Sequence, residues 1–127
     1  MFTESTLLEI IGELKLKELK EVVLAEQGSL IINGLKFKTN KVSFIIPDEK
    51  DFYKLTSHEY ASPVRNFQED NQNFTIRTKY GLVHFYNRYF DTDNYCNWDT
   101  QIKIYYMHEN YLKRLGNGNV NNIREEE

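Results

Sequence analysis

Residues 73–90 read NFTIRTKYGLVHFYNRYF. Apolar and polar side chains alternate along Phe74–Lys79, and Leu82–Phe90 is rich in aromatic and β-branched residues. Such segments are typical of strands that bury one face, and Tyr80-Gly81 between them is a turn signal. The stretch therefore predicts two consecutive strands and places a β-sheet at the centre of the fold.

Further segments predict additional strands of this sheet. Asn33-Gly34 is the preferred pair for a tight turn, so the apolar residues on either side predict a hairpin over Leu30–Lys38. Val42–Ile46 and Ile102–Tyr106 both alternate between apolar and polar residues, as strands do. Val22–Leu24 reads either as the last turn of a helix or as a strand, and its β-branched residues favour the strand.

Helical patterns occupy the two ends of the globular region and one insertion. Apolar residues at helical spacing predict a helix over about Glu4–Leu19, with Thr3 or Ser5 as the N-cap. Asp48 is suited to cap a short helix that follows it. A last short helix is expected over His108–Leu115.

Together these elements predict an α+β fold. We expect an N-terminal helix packed on an antiparallel sheet of about five or six strands, with short helical insertions. The polar segments 57–73 and 91–100 predict surface loops. Residues 1–115 are expected to form a single domain, and residues 116–127, which contain Gly, Asn and a final run of Glu, a disordered acidic tail.

The composition argues against a disordered chain and against a bilayer-spanning one. Of the 127 residues, 40% are hydrophobic and 28% charged, the balance of a globular protein. No apolar run approaches the roughly 20 residues that span a bilayer. The single cysteine, Cys96, cannot form a disulfide within the chain, and the first residues lack the basic segment of a secretion signal. A cytoplasmic location is expected, in the host cell if a phage encodes the chain.

The sequence lacks the common catalytic and metal-binding motifs. It contains no glycine-rich phosphate loop and no nucleophile elbow, and its three histidines do not have the spacing of a zinc site. Asp91 and Asp93 begin like a calcium loop, but Cys96 and Ile102 stand where that loop needs Gly and Glu. We therefore predict no metal, no cofactor and no specific catalytic residue.

Charge is unevenly distributed between the predicted strands and the rest of the chain. Regions 29–46, 73–90 and 101–107 contain no Asp or Glu, and their basic residues are Lys36, Lys38, Lys41, Arg77, Lys79, Arg88 and Lys103. Because side chains alternate along a strand, these cations are expected to gather on one sheet face beside His and Tyr. The predicted ligand-binding residues are Lys36, Lys38, Arg77, Lys79, His84, Tyr86, Arg88, Lys103 and Tyr105.

A basic face with aromatic rings is suited to an anionic ligand. Cations bind phosphates while the rings stack on a base, so a nucleotide or nucleic acid is one predicted partner. An acidic protein surface fits equally well, and cations on strands also serve simply to keep sheet edges apart. The aromatic density around Tyr86–Trp98 is typical of interfaces as well as cores, and it suits a homodimer.

Three classes of function follow from these observations. The first, which the basic face favours, is a non-enzymatic binding protein, an inhibitor or sequestering factor. The bias toward Asn, Lys, Tyr and Ile is typical of small proteins of phages and mobile elements. The second is a small enzyme acting on a phosphorylated substrate, with His84 as general acid–base and the loop at Asp91 and Asp93 assisting. The third is a structural or assembly subunit.

Overall fold

A computed structural model describes residues 1–66 and 71–115. Within these residues the helices are α1 (Glu4–Glu13), α2 (Glu26–Ile32), α3 (Glu49–Leu55), α4 (Thr92–Tyr95) and α5 (Glu109–Arg114), with a 3₁₀ turn at Leu16–Glu18. The strands are β1 (Phe2–Thr3), β2 (Val23–Ala25), β3 (Lys38–Thr39), β4 (Val42–Ile45), β5 (Arg65–Asn66), β6 (Gln72–Thr78), β7 (Gly81–Asn87), β8 (Cys96–Asp99) and β9 (Ile104–Met107).

The strands form one large mixed sheet and one small sheet. The large sheet has seven strands in the order β5-β6-β7-β4-β2-β9-β8, and β1 pairs separately with β3. The α+β class is confirmed, but the sheet is larger than the five or six strands expected. It is also not wholly antiparallel, because β4–β7 and β2–β9 are parallel pairs. A parallel pair needs a long connection, and the segment containing α3, β5 and β6 supplies one between β4 and β7.

The predicted hairpin over Leu30–Lys38 is wrong, because the first half of this segment belongs to helix α2. Asn33 is the C-cap of that helix, and Gly34 follows with a left-handed φ of 75°. The amide of Leu35 donates to the carbonyl of Leu30 at 2.8 Å, as in a Schellman helix end. Asn-Gly was misread because a tight hairpin and a helix C-terminus both need a left-handed residue at this point.

Three further segments differ from the sequence-based expectation. Arg65–Asn66, inside the predicted loop 57–73, forms strand β5 at one edge of the sheet. Cys96–Asp99, inside the predicted loop 91–100, forms strand β8 at the edge of the sheet, where polar side chains face solvent readily. Helix α1 ends at Glu13 rather than near Leu19, and Lys15 next adopts a left-handed φ of 55° that cannot continue a helix.

Other local predictions are confirmed. Thr3 caps α1 through a reciprocal pair of hydrogen bonds with Thr6. Asp48 caps α3, accepting from the amide of Asp51 at 3.0 Å. Strands β2, β4, β6, β7 and β9 and helix α5 occur where sequence patterns predict them. The predicted tail, 116–127, lies outside the described residues, and the division into one domain and a tail stays a prediction.

The sheet separates two apolar clusters. On one face, α1 and α3 cover the larger cluster, in which Phe74 and Phe85 stack with ring centroids 5.2 Å apart. On the other face, α2 and α5 cover a smaller one. The longest helix in the described parts of the chain is α1 with ten residues, and no helix there is long and apolar enough to cross a membrane.

Candidate functional site

The second face of the sheet is only partly covered, and a groove opens beside the smaller cluster. The groove lies over β2, β4 and β7 and has a volume of about 200 Å³. We call it the basic groove. Its lining residues are Ala25, Glu26, Lys41, Ser43, Ile45, Asn71, Tyr86 and Arg88.

Its floor follows from the register of the parallel pair β4–β7. Ser43 lies opposite His84, and Ile45 opposite Tyr86. Because directly paired residues point to the same face, these four side chains share the second face of the sheet. Ser43 and Ile45 are buried, whereas His84 and Tyr86 are half-buried. This face of the sheet therefore carries a hydroxyl and an aromatic ring in the groove floor, and an imidazole beside it.

One wall is the sharp connection from β2 into α2. Gly28 lies so close to the sheet that a Cβ atom there would stand 2.5 Å from Leu24 Cδ1. Ser29 is buried; its hydroxyl donates to the carbonyl of Leu24 and accepts from the amide of Met107 at 3.1 Å. These contacts hold the start of α2 directly against β2 and β9.

Glu26 stands at this connection in a strained conformation. It has a left-handed φ of 45°, uncommon for a residue with a side chain. Such strain costs on the order of 1–3 kcal/mol and is found most often at functional sites. Its amide donates to the sulfur of Met107 at 3.3 Å, which fixes the turn that places Glu26 in the groove.

The rim of the groove is predominantly positive. Lys41 and Arg88 are both exposed and approach from β4 and from the end of β7, and Glu26 is the single acid among the lining residues. The guanidinium of Arg88 lies 5.9 Å from the centre of the Phe90 ring, within the range of a cation–π contact. Two cations against one carboxylate give the lining of the groove a net positive charge.

His84 lies beside the basic groove, on the same face of the sheet. Burial lowers the pKa of its imidazole from the ordinary value, and the nearby charge of Lys41 lowers the pKa further. The ring is therefore neutral at pH 7 and able to accept a proton. Asn71 contributes an oxygen, Oδ1, which is buried and has no hydrogen-bond partner among the described residues.

The structure brings together three of the nine residues that the sequence nominated. Tyr86 and Arg88 line the basic groove, and His84 lies beside it on the same face. Arg77 is further out on β6, where its guanidinium lies 5.5 Å from the centre of the Tyr60 ring.

The other nominated residues lie elsewhere. Lys79 forms an ion pair with Glu9 of α1 at 3.2 Å, and Lys36 donates to the side-chain oxygen of Gln27 at 2.8 Å. Lys38 belongs to the small sheet, and Lys103 to the turn before β9. Tyr105 packs against Trp98, with ring centroids 4.8 Å apart. The seven strand cations are thus spread over the surface rather than joined in one patch.

Four polar groove residues, Glu26, Lys41, Ser43 and Asn71, are not among the predicted ligand-binding residues, although Lys41 is one of the seven strand cations. One signal in the sequence could have indicated the wall of the groove. The strand Val23–Ala25 is followed closely by Gly28 and Ser29, and residues with such small side chains let a helix begin close to a sheet. Asp91 and Asp93, assigned an assisting role in the enzyme hypothesis, do not line the groove. Asp91 instead caps α4 and Asp93 lies in its first turn.

Comparison with known proteins identifies the fold. No protein-family model and no curated protein sequence matches the chain. A crystal structure from Thermotoga maritima, described as a "putative nucleotidyltransferase", is similar with a TM-score of 0.67. The match covers 90% of this chain and 84% of that one, with 15% sequence identity. At this identity the likeness shows a common fold.

This comparison corrects the leading functional interpretation. The interpretation as a non-enzymatic binding protein, in the form of a phage or mobile-element inhibitor or sequestering factor, is wrong, because the protein that shares this fold is described as a nucleotidyltransferase. The expected homodimer and the expected acidic protein partner stay predictions.

Proposed function

We propose that this chain is an enzyme that binds a nucleoside triphosphate in the basic groove and transfers its nucleotidyl group to an acceptor hydroxyl. The observation that carries the proposal is the pair Lys41 and Arg88 on the rim of the groove. It is supported by the likeness to a protein described as a nucleotidyltransferase. Cations that converge on one groove are the usual protein groups for holding phosphates.

The size of the groove indicates which part of the nucleotide it holds. Pockets that enclose a whole small molecule have volumes of about 300–1,000 Å³, whereas the basic groove has about 200 Å³. It therefore suits the phosphate chain, with the nucleoside extending over its open side. The half-buried ring of Tyr86 offers a surface for the base, and stacking on such a ring contributes about 1–3 kcal/mol per base.

The reaction places specific demands on the groove residues. The acceptor oxygen bonds to the α-phosphorus, the bond from that phosphorus to the pyrophosphate oxygen breaks with its electron pair, and the acceptor loses its proton. Lys41 and Arg88 would stabilise the negative charge that gathers on the phosphate oxygens. His84, neutral at pH 7 because burial lowers its pKa, would take the proton.

The proposal is tested by turnover and not by binding alone. The protein is incubated in turn with each α-labelled ribonucleoside triphosphate, in buffers with and without Mg²⁺, with the protein itself and transfer RNA as acceptors. Pyrophosphate release and transfer of label are measured. We expect one nucleotide to be consumed, and Lys41→Ser and Arg88→Ser each to reduce the rate by about 10²-fold or more, the usual effect of removing one charge-stabilising donor.

Matched controls use cations outside the groove. Lys17 is exposed on the 3₁₀ turn whose Leu16 packs on the opposite face of the sheet, and Arg114 is exposed in the last turn of α5. Lys17→Ser and Arg114→Ser should keep the wild-type rate. If the groove variants and the control variants turn over at the same rate, the basic groove is not the active site.

A further inference from the structure

Metal-dependent nucleotidyl transfer makes a clear demand on side chains. Two divalent ions about 3.5–4 Å apart clamp the attacking and leaving oxygens. Magnesium in such sites is held by one or two carboxylates in addition to the substrate phosphates. An enzyme of this kind therefore presents several carboxylates to its groove, usually from adjacent strands so that their positions are rigid.

The basic groove does not fit that demand within the described residues. The strand side chains that face it are Ala25, Ser43, Ile45 and Tyr86, and none of them carries a charge. Its single lining carboxylate belongs to Glu26, at the β2–α2 connection. Across residues 1–66 and 71–115, no three His, Cys, Asp or Glu side chains come together in a group that could hold a metal ion.

What the groove offers instead is positive charge from the protein itself. Lys41 and Arg88 stand on the rim where bound phosphates would need neutralising. His84 lies beside the groove on the same face of the sheet, and because its pKa is lowered its imidazole is uncharged at pH 7, so the positive charge at the groove comes from Lys41 and Arg88. Glu26 alone is negative, so the lining favours a ligand with its full anionic charge over one already neutralised by a divalent ion.

We infer that the basic groove binds the phosphate chain of its nucleotide free of a divalent ion, with Lys41 and Arg88 in the place of the metal. This inference rests on the proposed function and specifies its substrate as the metal-free nucleotide. Magnesium then competes with the protein for the phosphates, and excess Mg²⁺ weakens nucleotide binding. The loss is about fivefold, the effect of one unit charge interaction at about 4 Å in water-like surroundings.

The test is the affinity for ATP, measured by isothermal titration calorimetry in EDTA and in excess MgCl₂. We expect binding in EDTA and a Kd about fivefold higher with Mg²⁺. Lys41→Ser and Arg88→Ser should lose binding in EDTA, and Lys17→Ser should not. Binding that requires Mg²⁺ would overturn the inference and leave the proposed function standing. Absence of binding in both buffers would overturn both.

A second pair of variants tests the same point from the opposite direction. Ser43→Asp adds a carboxylate to the floor of the groove, and Ser43→Asn adds the same volume without charge. If the native floor selects against a divalent ion, the Asp variant should bind ATP more weakly in EDTA and recover with Mg²⁺, while the Asn variant keeps the native preference. Identical Mg²⁺ responses of two folded variants would contradict the inference. If the Asp variant does not fold, the wild-type titration still decides the question.

Discussion

Replacing Ser29 with Ala should destabilise the fold far more than the size of the change suggests. Its hydroxyl makes two buried hydrogen bonds, one to the Leu24 carbonyl and one from the Met107 amide. Each bond is worth about 1 kcal/mol, and leaving the Met107 amide buried without a partner costs about 1–3 kcal/mol. We therefore expect the free energy of unfolding to fall by about 3 kcal/mol.

Urea denaturation followed by circular dichroism measures this loss directly. A fall of about 3 kcal/mol corresponds to a decrease in Tm of roughly 12 °C for a chain of this size. The control is Ser57→Ala, since Ser57 is exposed and its hydroxyl donates to the Lys54 carbonyl at 2.8 Å. That variant should stay within about 0.5 kcal/mol of wild type. If both variants lose the same small amount, Ser29 does not hold α2 against the sheet.

Three other predictions follow from local geometry. Gly34→Ala should lower the free energy of unfolding by about 1 kcal/mol, because φ is 75° there. Gly12→Ala in α1 should raise it by up to about 1 kcal/mol, because alanine favours a helix over glycine. Neither added Cβ meets an atom within 4 Å, so urea melts in which the two variants shift in the same direction would refute this reasoning. Because the pKa of His84 is lowered, mainly by burial, the unfolded chain binds a proton first as pH falls below about 6.5. The free energy of unfolding should therefore decrease as pH falls from about 6.5 to the lower pKa that His84 has in the folded protein. His84→Gln should flatten that part of a curve of Tm against pH. An unchanged slope in this variant would contradict the prediction. Burial and two nearby acids raise the pKa of Cys96 to about 12, so iodoacetamide at pH 8 should modify the native thiol on the order of a thousandfold more slowly than in urea. Equal rates by mass spectrometry would exclude that environment.

The parts of the fold that the sequence predicts are those set by neighbouring residues. Strand β6 alternates between apolar and polar residues, β7 is rich in aromatic and β-branched residues, and the caps at Thr3 and Asp48 act within their own first turn. The segment after Asn33 misleads because a left-handed glycine serves two different structures. Which of the two structures forms is settled by packing with distant residues, since Leu30 and Ile31 are both buried and belong to different apolar clusters.

The basic groove could not be derived in the same way. It combines β2, β4 and β7 with Asn71, and β4 and β7 become neighbours only through a parallel pairing across a long connection. Alternation places Tyr86 and Arg88 on one side of the chain, and that part of the prediction needs no knowledge of the fold. Lys41 lies in the same groove as Arg88 only because β7 is the strand that pairs with β4. The alternation of residues within one segment does not show which strands pair.

The parallel pairing of β2 with β9 has a consequence for how the chain matures. Val23 and Leu24 pair with Tyr105 and Tyr106, which are far away in sequence. During synthesis, one edge of β2 therefore stays unsatisfied until nearly the whole described chain has left the ribosome. Long-range pairing of this kind slows folding, and an open apolar edge can recruit other nascent chains. Strand β2, which leads into the wall of the basic groove, is thus completed only late in synthesis, when β9 becomes available to pair with it.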